Sequence, residues 1–138
     1  MDNSSENQRA FEVERILRKR TSNGFPEYRV KWKRFPSSQN TWEPLSSFKD
    51  SMDLVHDFEA GIDTRQQGGF SSECTPRKIA RLFFDDISGQ VVGEIEWDEG
   101  VSRSIYPVTL LVKKCPKLMC KAFLEHIVVA PHAMEFDQ

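Results

Sequence analysis

The stretch YRVKWKRFPSSQNTWEP, residues 28–44, decides the fold. Tyr28, Val30 and Trp32 point one way along it and Arg29, Lys31 and Lys33 the other, the period-two pattern of a half-buried antiparallel strand over 27–35. PSSQ is a loop, and NTWEP (40–44) is a short third strand stopped by Pro44. Upstream, FEVERILRKR (11–20) is predicted as a first strand, joined to the second through the Gly and Pro of SNGFP (22–26). Downstream, DSMDLVHDFEAG (50–61) is predicted as a helix that Asp50 or Ser51 can cap and Gly61 can end. Its apolar side carries Met52, Leu54, Val55 and Phe58.

After a Gly-, Ser- and Gln-rich segment that reads as a short flexible linker, the pattern restarts. RKIARLFFDD (77–86), VVGEIEW (91–97) and VSRSIYP (101–107) are expected strands, and a helix begins near CPKLMCKAFLEHIV (115–128), with Pro116 suited to its first turn. Val30 and Trp32 recur as Ile95 and Trp97, Phe58 as Phe123, and TWEP as SIYP. An internal duplication follows. The predicted class is α+β, with two small domains, each a curled three-stranded antiparallel sheet packed by a C-terminal helix. The expected division is a flexible tail at 1–9, a first domain at 10–61, a linker at 62–73, a second domain at 74–130 and a C-terminal tail at 131–138.

Composition narrows the function. Charged residues make up 29% of the 138, and the net charge is −2, so no global basic field draws the chain to nucleic acid. No apolar run approaches the roughly eighteen residues of a membrane span, and MDNSSENQRA lacks a signal-peptide pattern, which predicts an intracellular protein with no membrane partner. Cys74, Cys115 and Cys120 show no CxxC spacing, and His56, His126 and His132 are scattered. Reduced thiols and no metal or other cofactor are expected. Without a phosphate loop, nucleophile elbow or catalytic triad pattern, the chain is not expected to be an enzyme.

The copies differ where function belongs. Phe35 stands opposite Gly100, and Phe11 opposite the Pro76–Arg77 region. Phe11, Trp32 and Phe35 are either core or three faces around a quaternary ammonium, held by cation–π attraction; their missing counterparts favour the second. Tyr28 and Trp42 are assigned to the core, Trp42 because Ile105 replaces it in the other copy. On the second helix, apolar residues cover more than half the circumference. One sheet covers one face, so either a partner or the tail segment VVAPHAMEF covers the other.

FEVERILRKR…EYRVKWKRFPSSQNTWEP…LVHDFE closely resembles a chromodomain over residues 10–60. The second copy, with GEIEW and VKKCPKLMCKAFLEHI, resembles a chromoshadow domain over 69–129. The tandem resembles the heterochromatin protein 1 family. The resemblance implies a nuclear, chromatin-bound protein that reads methylated lysine, usually lysine nine, on the histone H3 tail. The methyl-lysine cage would be Phe11, Trp32 and Phe35. The tail would insert as a strand between residues 9–13 and 45–49, with Val13 lining a small pocket and Glu12, Gln39, Glu43 and Ser47 at the peptide. Gln39 stands where the family often has an acid, and Ser47 where it usually has asparagine. The family further implies a homodimer, or a dimer with a related chromoshadow protein, through Cys120, Phe123, Leu124 and Ile127, bridging nucleosomes in gene silencing. Its dimer groove receives PxVxL-type peptides through a tail tryptophan; here Val129 holds that place. The linker's only cation is Arg65, so nucleic-acid binding through this hinge is not expected. Two other readings stay open: a dimeric adaptor without methyl-lysine binding, and a nucleic-acid module built on Arg29, Lys31, Lys33 and Arg34.

Overall fold

Strands β1 (Val13–Ser22), β2 (Phe25–Trp32) and β3 (Thr41–Pro44) form one antiparallel sheet in that order, and α1 (Met52–Glu59) follows it. Strands β4 (Pro76–Asp85), β5 (Gln90–Trp97) and β6 (Ser104–Pro107) form a second, followed by α2 (Val108–Lys114) and α3 (Pro116–Ile127). These elements come from a computed structural model that describes residues 11–127 and divides after Phe58 into two units.

The first hairpin turns at Asn23–Gly24, with Ser22 opposite Phe25. Both turn residues have positive φ, 53° and 84°. That is the pattern of a primed two-residue turn, whose twist matches the flanking strands and which Asn-Gly enters at least cost. The two sheets share a register. Val13 faces Trp32 and Ile16 faces Val30 in the first; Pro76 faces Trp97 and Ile79 faces Ile95 in the second. Both β1 and β4 carry register shifts at matching places, Val13/Arg15 and Ile16/Arg18 against Pro76/Lys78 and Ile79/Arg81. Such coincident bulges are the structural imprint of the duplication read from sequence.

The first core joins Ile16, Tyr28, Val30, Phe48 and Val55, with Val13, Trp32, Met52, Leu54 and Phe58 packed against it. Tyr28 meets Phe48 and Phe58 edge to face, at 5.5 and 6.0 Å between centroids. Trp42 is not part of this core. It lies across the sheet from Tyr28, with the Arg20 guanidinium 4.2 Å from its ring centre. The strand alternation that buries Thr41's neighbour Val30 turns Trp42 outward, a parity that the comparison with Ile105 could not reveal.

The second core joins Ile79, Ile95, Trp97, Tyr106, Leu111, Cys115, Met119 and Ala122. Helix α2 is absent from the sequence reading, because VTLLVKK is rich in β-branched residues and resembles a strand; Leu111 is its buried anchor. Phe123 does not repeat the role of Phe58. Met119 and Ala122 take the core side of α3, leaving Phe123 and Leu124 40% and 59% exposed. Cys115 is buried while Cys120 is exposed, and burial pushes the Cys115 thiol up, so it stays protonated at neutral pH.

Part of the segment expected as a flexible linker packs on the second sheet. Gln67 bridges to Ser102 in parallel. The Gly68 N–H donates to Ser102 O at 3.0 Å, and the Ser104 hydroxyl donates to Gly68 O. Gly68 lies flat on the Trp97 indole, where an added Cβ would fall inside the ring contact distance of its side chain. Phe70 then closes over Trp97 and Tyr106, at 5.5 and 4.7 Å. Composition alone made this stretch look free, but its glycines are what let the backbone approach an aromatic face. Gly68→Ala should therefore lower the stability of the second unit by about 1–3 kcal/mol, read as a drop in the urea midpoint of Trp97 fluorescence. An unchanged midpoint would mean that this segment contributes no packing.

Candidate functional site

At one end of the first sheet three aromatic rings meet. Phe11 precedes β1, Trp32 ends β2, and Phe35 follows the turn after it. The Phe35 N–H donates back to Trp32 O at 3.3 Å, with Arg34 in the left-handed region at φ 68°. That turn reverses the chain so that Phe35 returns beside Trp32. Phe11 sits edge to face with Trp32 at 6.3 Å and 77°, and nearly parallel to Phe35 at 5.7 Å and 17°. Phe11 is 52% exposed, so the cluster opens to solvent rather than closing into the core.

A chain of hydrogen bonds fixes the Trp32 indole. Its Nε1–H donates to Thr41 Oγ1 at 2.9 Å, and the Thr41 hydroxyl donates to Glu43 Oε2 at 2.7 Å. The Ser47 hydroxyl donates to the other Glu43 oxygen at 3.1 Å. The relay thus ties the aromatic cluster to two residues expected at a bound peptide. Thr41 itself was missed. The signal was present, since a hydroxyl recurs at its counterpart, Ser104, to which the Trp97 indole donates at 3.1 Å.

The other expected residues lie on separate elements. Glu12 is exposed, with its carboxylate 3.4 Å from Lys33 and its backbone carbonyl accepting from the Lys33 N–H at 2.8 Å. Val13 packs against the first core. Gln39 is exposed on the short turn Ser37–Gln39. Ser47 lies in the turn Leu45–Phe48, anchored by the buried Phe48. In the second unit Cys120, Phe123 and Leu124 lie exposed together on α3, and Ile127 ends that helix. Val129 lies outside the described residues.

The second unit keeps the tryptophan and its hydroxyl partner but not the opening. Trp97 is 1% exposed, sealed by Gly68 and Phe70 of its own chain, and Gly100 takes the place of Phe35, its N–H donating to Trp97 O at 3.4 Å. Phe70 meets Trp97 at 75°, much as Phe11 meets Trp32, a likeness that sequence position concealed. Among the described residues the aromatic cluster around Trp32 stays partly exposed, while the one around Trp97 is covered. Among the described residues no group of three or more His, Cys, Asp or Glu is placed to hold a metal ion, and no helix is long and apolar enough to cross a membrane.

Residues 11–60 match the Chromo (CHRromatin Organisation MOdifier) domain family. The chain is 50% identical over 52 residues to the Drosophila melanogaster chromo domain-containing protein rhino, covering 38% of this chain and 12% of that protein. It is 37% identical over 60 residues to Drosophila melanogaster heterochromatin protein 1, covering 44% and 29%. Over 73 residues it is 35% identical to the Caenorhabditis elegans chromobox protein homolog hpl-1, covering 52% and 40%. In each case the match spans less than half of the relative's length.

Proposed function

We propose, from the premise that residues 11–60 are a chromodomain of the heterochromatin protein 1 kind, that this chain is a nuclear, non-enzymatic reader of methylated lysine on the histone H3 tail. The observation that carries the reading is the half-exposed cluster of Phe11, Trp32 and Phe35, whose faces suit a methylated ammonium. The tail would add as an extended strand between residues 9–13, of which 9 and 10 lie outside the described residues, and 45–49, with main-chain bonds giving affinity and side-chain pockets giving selectivity. Glu12, Val13, Glu43 and Ser47 would contact that strand. Gln39 would leave the ammonium without a nearby carboxylate, so binding rests on the rings. Lysine nine is the expected target residue.

The second domain would dimerise through Cys120, Phe123, Leu124 and Ile127 of α3, presenting two cages to a nucleosome pair in heterochromatin silencing. Supporting this, α3 exposes apolar side chains on the side away from its core. Groove peptides would meet Val129 instead of an aromatic anchor, so their binding is expected to be weak.

The test is a titration of H3 tail peptides, trimethylated against unmethylated at lysine nine. Preference for the trimethylated form is expected. Equal weak binding with dimerisation intact would leave an adaptor instead. Thr41→Val probes the relay. Losing one hydrogen bond costs about 1 kcal/mol, which predicts peptide binding weakened about fivefold, with Thr41→Ser restoring it. Unchanged affinity would show that the relay does not orient Trp32.

A further inference from the structure

We propose that the outer face of the first sheet binds the phosphate backbone of duplex DNA, at a surface separate from the aromatic cluster and independent of the methyl-lysine reading. Cross-strand register places Arg15 opposite Lys31, Arg18 opposite Arg29, and Arg20 opposite Glu27; Arg29 in turn faces Trp42 on β3. This face is opposite the one that buries Ile16, Tyr28 and Val30. Its carboxylates are already engaged: Glu14 holds Lys31 at 2.9 Å, and Glu27 holds Arg20 at 2.7 Å. Arg15, Arg18 and Arg29 have no ion-pair partner among the described residues. The Arg20 and Arg29 guanidiniums lie 4.2 and 5.8 Å from the Trp42 ring centre, held over the sheet.

Like charges directly opposite one another destabilise a sheet, and the chain contains its own control. On the second sheet the matching face pairs Arg81 with Glu94 and Lys78 with Glu96. Arg81–Glu94 at 3.0 Å, Arg103–Glu96 at 3.0 Å and Arg77–Glu96 at 3.7 Å form a neutralising ladder. Arg29 and Lys31 occupy, in the first sheet, the positions that Glu94 and Glu96 hold in the second. The copies part at one rung: the first sets Arg18 against Arg29 where the second sets Arg81 against Glu94, in a chain whose net charge is −2. A locally basic face on an acidic chain has use for an external polyanion.

The chemistry favours nucleic acid over an acidic protein. Four of the five cations are arginine, whose planar fork grips phosphate in pairs of bonds. Beside them the face presents Trp42, its ring already taken by guanidiniums and so not free as the buried anchor that a protein partner needs. A phosphate backbone needs only spaced cations.

Fluorescence anisotropy of a short labelled duplex, titrated with the full chain at several salt concentrations, tests this. The affinity should fall steeply with salt, with a log–log slope of about −3 for three phosphate contacts. The double variant Arg15→Gln, Arg29→Glu removes two cations unpaired among the described residues, sets a glutamate against Arg18 as Glu94 stands against Arg81, and leaves the Glu14–Lys31 pair intact, so it should fold. It should bind the duplex at least about tenfold more weakly and with a shallower slope, while its circular dichroism and its urea unfolding midpoint stay near those of the parent. Absence of duplex binding by the parent, salt-independent binding, or unchanged affinity in a folded double variant would overturn the proposal. So would competition by polyglutamate at matched charge as effective as that by DNA, which would assign the face to an acidic protein.

Discussion

Trp32→Ala is expected to reduce affinity for a trimethylated H3 tail peptide by at least about 30-fold, and to erase the preference over the unmethylated peptide. A desolvated cation–π contact is worth about 2 kcal/mol or more with tryptophan, the strongest of the three rings. Because Trp32 also packs against the first core, its loss will lower stability as well. Phe11→Ala separates the two effects. Phe11 is half exposed and belongs to no core cluster, so its removal should leave the unfolding midpoint almost unchanged while weakening peptide binding about tenfold. Isothermal titration with both peptides, alongside thermal unfolding, makes the comparison. Unchanged preference for trimethyl-lysine in a folded Phe11→Ala and Trp32→Ala pair would remove the cage from the proposed function. Gln39→Glu works in the other direction. An exposed carboxylate near the ammonium is worth about 0.2–1 kcal/mol, so a gain of up to about fivefold is expected, diminishing with salt.

Leu124→Glu is expected to convert a dimer to a monomer in sedimentation velocity at micromolar concentration. Placing an unpaired carboxylate in an apolar interface costs several kcal/mol, whereas at a side chain 59% exposed in the single chain it costs the fold little. The variant should therefore keep its circular dichroism and its affinity for a single tail peptide. What it should lose is avidity: binding to paired tails on one template should weaken by about 10²-fold or more, since the second contact is no longer intramolecular. A parent that already sediments as a monomer, or a variant that remains a dimer, would move the function of α3 elsewhere. Cys120 supplies an independent readout. It is exposed in the single chain, so dimerisation through α3 predicts slower alkylation of Cys120 in the parent than in Leu124→Glu.

Much of the architecture was legible because its signals are local. The alternation of Tyr28, Val30 and Trp32, the Asn23–Gly24 turn and the apolar side of the first helix each fix geometry within a few residues. The duplication was legible because core identities repeat at matching places, Val30 and Trp32 as Ile95 and Trp97. The trio Phe11, Trp32 and Phe35 was reached from what the second copy lacks, and these rings do meet. Other features depend on contacts between residues far apart in the chain. Thr41 orients Trp32 through a hydrogen bond that spacing does not announce. Gly68 and Phe70 read as linker and are in fact the cover of Trp97. Trp42 reads as core and lies under a guanidinium.

The sequence by itself determined which segments become the six strands and the helices α1 and α3, that the unit occurs twice, and which residues could bear chemistry, because hydrophobic period and turn preference act over short range. Only the tertiary structure decided which tryptophan stays open and which sheet face stays basic. Both outcomes turn on what packs or pairs across the sheet: a glycine-rich segment laid over Trp97 but, among the described residues, not over Trp32, and a glutamate, Glu94, set opposite Arg81 in the second sheet where the first sets Arg29 opposite Arg18.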